Sequence, residues 1–258
     1  MSARAMWRAT LRLGAAAVPV KLYSAVQDRR VRFHLLHADD LVPVKQRMVH
    51  PDTGDPVPPE EVRRGVEVER GVFVLVDEDE LEALEPPASR DVEVLRLVPR
   101  GALRSQWYDR PYWLGPDGDD DAYFALAHEL ERRGREGLAR WTLRKKERVG
   151  ALGTARGRLS LTTLRSADEV LGLDALPAPG GRTLDAREVS LAERLVEALQ
   201  DRFDPGAFRD EHRERVEALI ASKARGEVVK LERPRARRAS RSLTKALEAS
   251  LRRAGREG

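Results

Sequence analysis

Apolar and polar residues alternate from the start of the chain. Trp7, Ala9, Leu11 and Leu13 interleave with Arg8, Thr10 and Arg12, the period of a strand with one buried face. A break from Gly14 to Pro19 separates it from a second strand at Val20–Tyr23, and Val31–His37 reads as a third. Residues 39–71 lose the pattern. Pro51-Asp52-Thr53-Gly54-Asp55-Pro56 and Pro58-Pro59 are turn chemistry, so the stretch predicts an excursion from the core. Gly71–Val76 then predicts a buried returning strand, and Asp77 caps a short acidic helix ending at Leu84. Val92–Val98 and Tyr108–Leu114 are strand-like. Asp121 precedes a helix with Tyr123, Phe124, Ala127 and Leu130 on its apolar side and Gly134 as its stop. Alternation returns from Arg140 to Val149, and Gly157–Leu164 follows as another strand. Many strands and few helices up to about residue 175 predict a barrel or sandwich.

The character changes after the linker Pro177-Ala178-Pro179-Gly180-Gly181. Asp185 and Glu188 have capping-box spacing, and Leu191, Leu195, Leu199 and Phe203 recur along one helix face. Asp204-Pro205 ends that helix and offers a cap for the next, which carries Phe208, Val216, Leu219 and Ile220 and stops at Gly226. The predicted organisation is a barrel core over 1–180 including the excursion 39–71, a helical arm over 181–232, and a basic tail over 233–258. The apolar positions Leu191, Leu195, Leu199, Val216, Leu219 and Ile220 exceed what a two-helix hairpin buries, which predicts packing on a second subunit across a two-fold interface. In the tail, Leu243, Leu247 and Leu251 form an i, i+4, i+8 stripe. A helix that short is marginal alone and folds against a groove on a partner or on the protein's own arm.

Composition narrows the function. The 258 residues include no cysteine, and 35% are Asp, Glu, Lys or Arg. Thiolate metal sites and disulfides are excluded, and no apolar run reaches the length of a membrane span. No secretory h-region opens the chain. The formal net charge is only +4, but residues 233–258 carry +7 and the rest −3. His34 and His37, three apart on a strand, face opposite sides and cannot share a metal locally. Asp119-Asp120-Asp121 sits where acids favour a helix N-terminus, and no phosphate loop or nucleophile elbow is present. No cofactor and no catalytic residue is expected.

Within the body lies a second basic block, Arg140 to Arg158, in which only Glu147 is acidic. Read as one strand, it places Arg140, Thr142, Arg144, Lys146 and Arg148 on one face and Trp141, Leu143 and Val149 on the other. Such a row of like charges steps along at about 6.6 Å, near the spacing of phosphates on one DNA strand, and suits contacts that confer affinity without reading sequence. The expected DNA-facing residues are these cations together with Lys145, Arg8, Arg12, Lys21, Lys45, Arg47, Arg156 and Arg158. In the tail, Arg237, Arg238 and Arg241 are free to touch phosphates.

Several segments resemble bacterial Ku proteins. They are Trp7–Gly14 followed by Val18–Ala25, Arg32–His37, Asp109–Asp117, Trp141–Arg148, the Phe203-Asp204-Pro205 turn and the stretch ending Leu219-Ile220-Ala221-Ser222-Lys223. The resemblance implies an α+β chain, mainly β: an antiparallel barrel, a bridging excursion that closes a ring in the homodimer, and a C-terminal helical arm. It implies binding of double-stranded DNA ends and recruitment, through the tail stripe Leu243, Leu247 and Leu251, of a multifunctional ATP-dependent DNA ligase for non-homologous end joining at the bacterial nucleoid. Many relatives carry Cys-x-x-Cys-Gly in the excursion. Here the run is His50-Pro51-Asp52-Thr53-Gly54, which keeps the turn without thiols. The competing readings are a dimeric sequence-specific regulator and a metal-dependent nuclease.

Overall fold

The computed structural model describes residues 4–178, 180–181, 183–226 and 243–257, the last five of these for their backbone only. The chain divides into two compact units, residues 1–28 with 34–175 and residues 29–33 with 176–258.

The first unit is a closed barrel. Its strands are β1 (Trp7–Leu13), β2 (Ala16–Ser24), β5 (Asp91–Pro99), β6 (Tyr108–Pro116), β7 (Arg135–Leu143), β8 (Lys146–Ala155) and β9 (Arg158–Leu164). They follow the order β1-β2-β6-β9-β8-β7-β5. All pairings are antiparallel except the closing seam, where β1 runs parallel to β5 through Thr10↔Asp91, Leu11↔Val92 and Arg12↔Glu93. The alternation seen in β1 puts Ala9 and Leu11 inside, where they meet Val20, Leu22, Val92, Leu114, Leu152, Leu159 and Leu161. Pro19 is no break: it lies within β2 opposite Thr10, just outside the β2–β6 ladder that begins at Val20↔Pro116.

Helix α2 (Asp120–Arg132) packs on the barrel through Tyr123, Ala127 and Leu130. The Tyr123 hydroxyl donates to the Leu114 carbonyl at 2.6 Å and accepts from the Leu159 amide at 3.0 Å, so one buried phenol ties β6 to β9. The cap is Asp119, which accepts from the Ala122 amide at 3.0 Å, and not Asp121. Phe124, expected on the apolar side, is 45% exposed.

The excursion between β2 and β5 is longer than residues 39–71. Val31–His37 forms no strand, contributing only the isolated bridge Leu36↔Pro43. Residues 72–76 are a strand but not a buried one. β4 (Val72–Val76) pairs only with β3 (Arg64–Glu69) in a two-stranded hairpin, leaving Phe73 60% and Leu75 65% exposed. Helix α1 (Glu78–Ala83) starts at Asp77 as expected, with the Glu80 carboxylate accepting from the Asp77 amide at 2.9 Å.

The second unit holds α3 (Ala186–Ala198), α4 (Glu211–Ala224) and α5 (Leu243–Glu257). The Asp185–Glu188 capping box opens α3: the Glu188 amide donates to Asp185 at 2.8 Å and the Asp185 amide to Glu188 at 3.2 Å. The helix ends before the predicted stripe does, so Leu199 and Phe203 lie beyond it. Asp204-Pro205 opens only a single 3-10 turn; α4 starts later, capped by Asp210 accepting from Arg213 at 2.9 Å. Phe208 is therefore outside α4, where its ring lies 5.4 Å from that of Phe203. The tail stripe takes the second of its two expected seats: α5 packs against α3, with Arg187 and Glu248 paired at 2.9 Å.

Candidate nucleic-acid interface

The row of cations expected on a single strand from 140 to 148 is a hairpin instead. β7 ends at Leu143, Arg144 and Lys145 form a two-residue turn, and β8 returns with Leu143↔Lys146, Thr142↔Glu147, Trp141↔Arg148 and Arg140↔Val149 in register. Residues opposite each other in an antiparallel ladder share a face. Arg140 and Thr142 therefore lie on the outer side with Glu147, whereas Lys146 and Arg148 lie on the side of Leu143 and buried Trp141. A two-residue connection pairs residue i with i+3 and so reverses the phase of the alternation, which divides the even-numbered cations between the two faces.

The turn residues are conformationally unusual. Arg144 and Lys145 have φ of +52° and +63°, the left-handed pair that a tight hairpin needs and that Asn-Gly fills at low cost. At the other end of β8, Arg156 at +53° and Gly157 at +70° make the equivalent turn into β9. Left-handed backbone costs a residue bearing a Cβ about 1–2 kcal/mol.

The expected DNA-facing cations separate into two groups. One group is held by carboxylates. Lys21 and Arg8, opposite each other on β2 and β1, share Asp117 at 2.8 and 3.7 Å. The hydrogen bond from Lys21, aided by the charge of Arg8, holds the Asp117 carboxyl below the usual carboxylate range. Arg12 pairs with Asp91 at 3.0 Å and Arg140 with Glu147 at 3.8 Å. Lys145 reaches back from the hairpin tip to Glu82 at 3.1 Å and Glu85 at 3.0 Å, and those bonds push its pKa up. By contrast, Arg144, Lys146, Arg148, Arg156, Arg158, Lys45 and Arg47 are exposed and have no carboxylate partner among the described residues. Tail residues Arg237, Arg238 and Arg241 lie outside the described residues.

Sequence reasoning missed a repeated turn in the excursion. The His37 amide donates to Val42 and the Leu41 amide to His37; the His50 amide donates to Asp55 and the Gly54 amide to His50, at 2.9 to 3.0 Å. Leu41 and Gly54 take φ of +58° and +76° at matching positions, and the bridges Leu36↔Pro43 and Val49↔Pro56 close both turns. The visible signal was the matched spacing of His37 to Pro43 and His50 to Pro56. Hydrogen bonds hold both turns, and His37 Nδ1 lies 2.8 Å from Asp40 Oδ1. Among the described residues no cluster of three or more His, Asp or Glu side chains could hold a metal ion, and no helix is long and apolar enough to cross a membrane.

The dimer-face expectation also meets a changed setting. Leu191, Leu195, Val216 and Leu219 are half-buried, while Ile220 is 43% and Leu199 65% exposed.

A family model described as the Ku70/Ku80 beta-barrel domain matches residues 12–191. "Non-homologous end joining protein Ku 2" of Geotalea uraniireducens (strain Rf4) is 38% identical, with 97% of this chain and 98% of that protein aligned. "Non-homologous end joining protein Ku" of Anaeromyxobacter sp. (strain K) is 36% identical over 99% of this chain and 88% of its own length. "Non-homologous end joining protein Ku" of Heliobacterium modesticaldum is 31% identical over 89% and 84%. With a family model matching residues 12–191 and relatives aligned over most of both lengths, the chain belongs to the Ku family.

Proposed function

We propose that this chain is a homodimeric ring that threads onto double-stranded DNA ends without sequence specificity. In that role it recruits an ATP-dependent DNA ligase for end joining in the bacterial cytoplasm, at the nucleoid. The observation that carries the DNA reading is the pair of hairpin tips flanking β8, where Arg144 and Arg156 occupy left-handed positions and have no carboxylate partner among the described residues. Backbone strain kept at a surface tip, where a cheaper turn residue would serve, points to a use for the side chain. β8 is ten residues long, so the tips stand about 30 Å apart, close to one turn of B-form DNA. Contacts at that interval grip phosphates of any sequence.

The exposed apolar side chains of the excursion support dimerisation. Leu35, Leu41, Met48, Phe73 and Leu75 are each 60% exposed or more, more apolar surface in one segment than a lone chain usually leaves in water. The names of the relatives support the end-joining role.

A closed ring can enter DNA only at an end. Linear and covalently closed circular DNA of identical sequence are therefore compared for protein retained after a salt challenge. Retention on the linear form and loss from the circle is the expected result; equal retention on both would overturn the ring.

A further inference from the structure

Helix α5 has a seat within this chain that leaves its apolar stripe partly covered. Leu247 and Leu251 are half-buried and Leu243 is 47% exposed, and the helix packs against α3. Its polar anchor is specific. Arg187 Nη2 meets Glu248 Oε1 at 2.9 Å, and the Glu248 side chain is 35% exposed against 74% for Arg187. On α3, Leu191 lies one turn from Arg187 on the same side; on α5, Leu251 lies one turn from Glu248. The contact thus includes half-buried leucines and the Arg187–Glu248 pair.

We infer that α3 is a storage seat for α5, latched by Arg187, and that α5 must leave it to engage an external partner. A stripe of this length is marginal as a free helix in water, so α5 exchanges one groove for another. The external groove has the chemistry of α3: an apolar trough with a cation at its rim to receive Glu248. This rests on the proposed ligase reading, which makes the end-joining ligase the owner of that groove. The two seats compete because both use Leu247, Leu251 and Glu248.

The experiment uses the full-length protein, linear DNA and its cognate ligase. Arg187→Glu removes the latch without altering α5. Expected are amide hydrogen exchange over residues 243–252 up to about fivefold faster, the range an exposed ion pair supplies, and ligation stimulated above the wild-type level. The charge swap Arg187→Glu with Glu248→Arg restores the latch but sets two cations against each other in the partner groove. Exchange should return to the wild-type rate while stimulation falls below it. Unchanged exchange in Arg187→Glu would overturn the latch, and so would faster exchange accompanied by weaker stimulation, which would make the α3-bound form the active one. If deleting residues 233–258 leaves stimulation intact, the external seat on the ligase is refuted and the competition with it, while the exchange rates still decide whether Arg187 holds α5.

Discussion

Replacing Arg144 by asparagine separates the two consequences of the β7–β8 turn. Arg144 holds φ of +52° beside Lys145 at +63°. Asparagine tolerates the left-handed region because its short side chain bonds locally, so Arg144→Asn should recover about 1 kcal/mol of the ~1–2 kcal/mol that a Cβ-bearing residue loses there. For a chain of this size that raises Tm by roughly 2–4 °C. The same change removes one cation with no carboxylate partner among the described residues. If Arg144 contacts a phosphate, the slope of log K against log salt flattens by about 0.9 per chain. Arg144→Lys keeps both charge and strain and should match wild type in Tm and slope. The assays are thermal melting by circular dichroism and duplex binding by fluorescence anisotropy from low to moderate salt, with two unrelated sequences. A variant that is more stable but binds with the wild-type slope would show that the tip does not touch DNA. One that is no more stable would refute the strain argument.

Gly150→Val should be severe: a Cβ there would stand 2.5 Å from both the Thr162 carbonyl oxygen and Trp141 Cη2, and forcing the ladder apart costs about 3 kcal/mol, read as a lowered urea midpoint. Glu129 is gripped by Arg132 at 2.9 and 3.0 Å and by Arg133, and hydrogen bonds from these two arginines bring its pKa from 4.5 to about 2. The fold thus favours its ionised form, so the stabilisation is complete above pH 4.5 and lost as pH falls through about 2; carboxyl carbon NMR should place the Glu129 midpoint near 2, and a midpoint at the ordinary value would discount the clasp. Phe73→Asp with Leu75→Asp, both on the exposed hairpin, should leave the barrel's melting unchanged and give a monomer by light scattering; an intact dimer would move the interface elsewhere.

The barrel was legible in the sequence wherever one face of a strand is buried. Trp7 to Leu13 alternates because inner positions must be apolar and outer ones meet water, and the same rule exposed Tyr108–Leu114 and Gly157–Leu164. Capping chemistry is local too, so Asp77 and Asp185 were readable as helix starts. The family resemblance rested on short runs such as Arg32–His37 and Asp109–Asp117. The pattern misleads where the choice of pairing partner, and not the run itself, decides burial and facing. Val72-Phe73-Val74-Leu75-Val76 reads as a core strand by composition, yet the tertiary fold carries it out of the barrel to pair with β3 alone. Arg140 to Arg148 reads as one strand because no Asn-Gly or other turn residue marks a break in its alternation; the Leu143↔Lys146 register reverses the phase at the turn and divides the cations between faces. Pairing was hidden for the same reason. Asp117, just beyond β6, and Asp91, at the start of β5, neutralise Lys21, Arg8 and Arg12 from about eighty to 110 positions away in the chain, where Coulomb attraction depends on distance in space. The sequence by itself determined which residues could be cations at a surface; the tertiary pairing of strands, hairpin and excursion decided which of them have carboxylate partners.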